Sequence, residues 1–211
     1  MGSLLKQMYC ELRYTSQWAL HVLLIFLSLI IAFGVLSSKE PDLWQAFLPM
    51  LLMGLSYGVI SLSLDHLFRD DWEDGTLEWL MSEERSLEVY VLAKILVHWV
   101  RLGIPLVIIV GVITGFTSFS LIYGIAITTL TLIFLGAIPS ALCLNTKRNS
   151  SILLPLLILP LGIPMMVVSM AAVIDLTVGI YSYLALQGGL FLMSVALSLI
   201  ACPFALRLAL R

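Results

Sequence analysis

Two groups of charged side chains stand out from an otherwise apolar chain. Between positions 65 and 88 nine acidic residues are set against Arg69 and Arg85, with Leu67, Phe68, Trp72, Leu77, Trp79 and Leu80 interleaved among them. Acidity of this kind is unusual beside the inner leaflet, whose anionic headgroups would repel it. Together with exposed aromatics, which are enriched at interfaces, it suits docking against a basic groove on a partner; the plainer alternative is a solvated loop. Asp74-Gly75 reads as a turn dividing two short helices. Beyond it, Lys94, His98 and Arg101 recur at i, i+4 and i+7 and so share one helical face. That stripe either anchors a helix at the membrane interface, its long stems snorkelling outward, or turns into a bundle to meet carboxylates or an anionic ligand.

Catalytic groupings are missing from the sequence. There is no Gly-x-x-x-x-Gly-Lys-Ser/Thr loop to cradle nucleotide phosphates, no His-Glu-x-x-His pair to hold zinc and no Gly-x-Ser-x-Gly elbow to present a nucleophile. The chain is therefore expected not to be an enzyme, and the energy for its work must come from elsewhere. Cys10, Cys143 and Cys202 have no pair spacing and read as small apolar side chains; no metal site is expected. His21, His66 and His98 are the only histidines. None is expected near the outer membrane face.

The elements that must position these residues are membrane spans. Of 211 residues 61% are hydrophobic and 11% charged, and the mean hydropathy is +1.07. A soluble domain carries roughly 25% charged residues, so the chain belongs to the membrane class. A net charge of −2 excludes a nucleic-acid reader. Spanning helices of about 20 apolar residues are predicted at 18–36, 43–64, 89–116, 120–144, 152–174 and 181–206. The first has full span length and no small-x-small cleavage site, so it reads as a retained span rather than a signal peptide.

Basic residues distribute unevenly between the two sides. Lys6, Arg13, Arg69, Arg85, Lys147, Arg148, Arg207 and Arg211 lie on one side and Lys39 on the other, which places both termini in the cytoplasm. Residues 1–17 are expected to form an interfacial helix, with Leu4, Leu5, Met8 and Leu12 on its apolar face. The domain reading is then 1–17 interfacial, 18–64 two spans, 65–88 an acidic coupling segment, and 89–211 four spans. Small pairs Gly54/Gly58 and Gly111/Gly115 suit close helix packing. Pro155, Pro160 and Pro164 within one span invite a break, giving either a flexible, pathway-lining element or a kinked packing helix.

The stretch Phe68-Arg69-Asp70-Asp71-Trp72-Glu73-Asp74-Gly75-Thr76-Leu77-Glu78 resembles the signature of the haem exporter protein B (CcmB) family. Ala93-Lys94, His98-Trp99, Gly103-Ile104-Pro105-Leu106 and Leu159-Pro160-Leu161 with Ile163-Pro164 also fit it, and the likeness runs over nearly the whole chain. It departs at Trp79, where the family usually has Gln, and at 82–86, where a Ser-Pro-rich connection is usual. The resemblance implies an all-α, six-span subunit with an ABC-2-type permease-like bundle in a bacterial inner membrane. The implied partners are a cytoplasmic ABC ATPase that binds the ATP, a haem-handling membrane subunit, a small single-span subunit and a haem chaperone. In that picture the 68–78 signature couples ATP hydrolysis to haem delivery for c-type cytochromes. Haem either crosses through the bundle, or the bundle's motion releases a haem-loaded chaperone. Alternatives are an ABC-2 permease for an unrelated lipid or drug, or a membrane assembly subunit that transports nothing.

Overall fold

The computed structural model describes residues 17–36, 41–82, 87–116, 119–145, 150–174 and 180–209. The interfacial helix expected at 1–17 lies outside them apart from its last residue, as do Lys39, Arg85, Lys147, Arg148 and Arg211. Among the described residues there are helices and turns and no strand. That is what a chain in hydrocarbon requires, because a helix satisfies its backbone groups within its own segment.

In chain order the helices are α1 (Gln17–Leu36), α2 (Pro41–Ser63), α3 (His66–Glu73), α4 (Thr76–Ser82), α5 (Leu87–His98), α6 (Ile104–Ile113), α7 (Phe119–Leu142), α8 (Ser150–Ile174) and α9 (Ile180–Ala209). A π-turn, Trp99–Gly103, joins α5 to α6, and a 3-10 turn, Cys143–Asn145, follows α7. Five stretches are long and apolar enough to cross a membrane: Phe47–Glu73, Leu87–Ile113, Phe119–Leu142, Leu153–Ala171 and Ser182–Ala209. Ala19–Val35 is apolar but shorter. Leu24, Met50, Val112, Leu156, Leu192 and Ile200, spread over five helices, are each more than half exposed. An apolar surface this wide calls for lipid or protein around it, and the chain is a multi-pass membrane protein.

Helix α7 is the centre of the bundle and packs against α2, α8 and α9. Its small residues allow the approach. A side chain at Gly136 would strike Leu64 and Ile158, and one at Gly124 would crowd Met53 and Ser169. Thr129 and Thr131 return their hydroxyls to the carbonyls of Ile125 and Ile127, so these polar groups are satisfied inside the apolar core.

The glycine pairs singled out above play another part. A side chain at Gly54 or Gly58 would meet nothing within 4 Å. Gly111 is covered by the Phe116 ring of its own helix cap, and Gly115 takes φ +59 in that cap. The Phe116 N–H reaches the Gly111 carbonyl at 2.8 Å and the Gly115 N–H reaches Val112 at 3.2 Å, the Schellman pattern that ends a helix. Helix α8 runs from Ser150 to Ile174 with Pro155, Pro160 and Pro164 inside it. It is continuous, with Pro160 and Pro164 on its exposed side.

Candidate functional site

The acidic segment folds as a helical elbow against one end of the bundle. Helix α2 ends at Ser63, and the Leu67 N–H bonds to the Leu64 carbonyl to turn the chain into α3. Ser140 of α7 donates its hydroxyl to that same carbonyl at 2.8 Å, bracing the turn from the side. Gly75, at φ +71, separates α3 from α4, a conformation glycine adopts without steric cost.

Helical periodicity splits the segment into two faces. Leu67, Phe68 and Leu77 are buried in the chain's own core, and Trp72 packs against that core while half-buried. Asp70, Glu73, Asp74, Thr76, Glu78 and Trp79 face outward, with Trp79 52% exposed. The outer face is thus acidic with one large aromatic. Arg69 is drawn back onto Asp65, its Nη2 3.1 Å from Oδ1, and His66 lies 3.7 Å from Asp70. Neither contact removes the outer face's net negative charge.

Asp71 belongs to the inner face. Its Oδ1 accepts from Lys94 Nζ at 2.9 Å, with the two side chains 14% and 11% exposed. Its Oδ2 accepts a short hydrogen bond from the Tyr90 hydroxyl. The Tyr90 ring also packs on Phe68 at 6.2 Å between centroids. The acidic segment and the basic stripe, which the sequence presents as separate features, therefore meet.

One turn further along α5, His98 Nε2 lies 2.9 Å from Ser63 Oγ. The Ser63 hydroxyl also lies 2.7 Å from the Ile60 carbonyl. That ring is buried, with its Nε2 committed. Arg101 lies in the π-turn, and its Nη2 is buried without a hydrogen-bond partner among the described residues.

The π-turn itself follows from Pro105. Proline at this position has no N–H to donate, and its ring crowds the carbonyl four residues back, which is Arg101. The backbone widens instead, and the Ile104 N–H bonds to Trp99 five residues back. Trp99 lies over Gly103, where a Cβ would collide with the indole. Its Nε1–H donates to Thr129 of α7 at 3.3 Å.

Sequence reading missed Tyr90, Ser63 and a second polar cluster deep in the bundle. Gln187 of α9 donates through Nε2 to Ser169 Oγ at 2.6 Å and to the Gly124 carbonyl at 3.3 Å. Ser169 also meets Thr128 Oγ1 at 2.5 Å. The available signal was a lone amide side chain inside an apolar span. Among the described residues no three of His, Cys, Asp and Glu are grouped to hold a metal, and Cys143 and Cys202 are buried and not in a disulfide.

Comparison with known proteins finds relatives along almost the whole chain. The family model described as "CcmB protein" matches residues 3–209. "Heme exporter protein B" of Haemophilus influenzae is 32% identical over 200 residues, 91% of this chain and 88% of its own. The protein of the same name from Pseudomonas aeruginosa is 34% identical over 89% of this chain and 86% of its own. That from Escherichia coli is 34% identical over 88% of each.

Proposed function

The chain belongs to the CcmB protein family, and from that premise we propose that it is the membrane subunit of a haem-exporting ABC-type complex serving c-type cytochrome biogenesis. The observation that carries this reading is likeness along almost the whole length to proteins named heme exporter protein B. The subunit crosses a bacterial inner membrane six times, α1 being the first span, with both termini in the cytoplasm. The sidedness of basic residues supports that orientation.

The subunit makes no chemical step of its own. A cytoplasmic ABC ATPase holds and hydrolyses the ATP, and it docks on the outward face of α3 and α4. Asp70, Glu73, Asp74 and Glu78 supply charge there, and Trp79 supplies an apolar anchor, the combination that hot spots and their polar rims use. A haem-handling membrane subunit, a small single-span subunit and a haem chaperone complete the assembly. The movement received at the elbow drives haem transfer or the release of haem-loaded chaperone. Haem is cargo here. The burial of His98 and the engagement of its Nε2 support weak rather than tight ligation.

Deleting the gene in its own host tests this reading. Covalently attached haem on c-type cytochromes should disappear while non-covalently bound haem proteins persist, and the chain supplied in trans should restore it. Normal haem staining of c-type cytochromes in the deletion strain would refute the assignment.

A further inference from the structure

We propose that Asp71, Tyr90 and Lys94 form the linkage that carries movement of the acidic elbow into α5, as positioning residues distinct from the outer docking face. This rests on the reading that a partner ATPase pushes on α3 and α4.

Apolar contacts alone would hold the elbow without fixing its register, because hydrophobic burial is non-directional. Leu67, Phe68 and Leu77 can slide against the core while staying buried. The Asp71–Lys94 pair cannot. It is nearly shut off from solvent, both carboxylate oxygens are engaged, and the partners come from two different helices. Ionic groups retained in an apolar setting have fixing register as their best-attested use.

A second tie makes the linkage directional. Helix α5 is held to α3 through Lys94 and to the end of α2 through His98 and Ser63. These ties lie on either side of the Leu64–Asp65 turn. A displacement of α3 is therefore passed to α5 instead of being taken up by flexing of that turn. Helix α5 continues through the π-turn, where Trp99 is tied to α7. The part of the bundle that receives the displacement is accordingly the α5–α6 arm together with the end of α2 that His98 holds.

The test uses the full complex purified with its partner subunits, carrying Asp71→Asn, Lys94→Met, Lys94→Arg, or the exchange of Asp71→Lys with Lys94→Asp. Three quantities are measured on each: retention of the ATPase subunit, ATP hydrolysis, and covalent haem on a c-type cytochrome. In the single neutral variants the ATPase subunit stays bound and hydrolyses ATP, while covalent haem falls about tenfold. Lys94→Arg and the exchange recover most of the lost haem attachment, which general destabilisation would not produce. Full haem attachment in Asp71→Asn and Lys94→Met overturns the linkage. So does loss of the ATPase subunit from them, which would make Asp71 a docking residue. If the neutral variants fail to accumulate, an exchange variant that accumulates and hydrolyses ATP without attaching haem overturns it as well. Retention of the ATPase after reversal of the outward acids would instead remove the docking premise and leave the Asp71 measurements standing as a separate result.

Discussion

Adjacent aspartates in one short helix have different surroundings: Asp70 is exposed, while Asp71 is largely covered and bonded to Lys94 and Tyr90. The difference was legible in the spacing. Asp71 follows Leu67 by four residues and Phe68 by three, so it shares their buried face. Reading the whole 68–78 stretch as one docking surface overlooked that periodicity. Its partner was not legible, since nothing in the intervening residues sets which turn of α5 lies beside α3. The same distinction separates His98 from the outer acids. With its ring buried and Nε2 committed to Ser63, His98→Ala should lower cytochrome c maturation less than reversing Asp70 and Asp74. The purified subunit alone should show no stoichiometric haem absorbance. A one-to-one haem spectrum that vanishes in His98→Ala would make His98 a ligand.

Among the elements, five spans were legible because apolar length is a demand of the bilayer itself, while the stretch expected as the first is apolar but shorter, and α3 and α4 followed from turn chemistry at Gly75. The internal shape of the spans was not. Pro105 produces a π-turn that sets Arg101 and Trp99, which no pattern in the sequence announces. Three prolines in α8 read as either a break or a kinked packing helix, and the helix runs through, as a proline in a helix held by its neighbours can do. Glycine substitutions separate these cases. Gly103→Ala drives a methyl group into the Trp99 indole and should lower the stability of the purified protein by about 1–3 kcal/mol. Gly54→Ala and Gly58→Ala enter open space and should change it by no more than about 0.5 kcal/mol. Thermal unfolding in detergent measures both, and equal losses at Gly54 and Gly103 would contradict the packing described.

For the molecule as a whole, membrane class and all-helical architecture were evident from composition, but the central place of α7 was not. Spans that are apolar on every side carry no facing signal. Gly124 and Gly136 let α2 and α8 approach α7 closely. Topology has its own test. In a cysteine-free background, Lys147→Cys should label only from the cytoplasmic side and Ser118→Cys only from the outside, and labelling of both from one face would overturn the six-span arrangement. The proposed coupling requires that the outward acids receive the ATPase. Asp70→Lys combined with Asp74→Lys reverses charge on the exposed face and leaves Asp71, Lys94 and the apolar packing in place. Removing one side of an interfacial charge pair costs about 2–5 kcal/mol where the pair is buried by the partner. Affinity purification of the doubly reversed subunit from membranes should therefore yield normal amounts of the subunit with the ATPase lost and no cytochrome c maturation. Full ATPase recovery with normal maturation would contradict the account and reduce the elbow to a solvated loop.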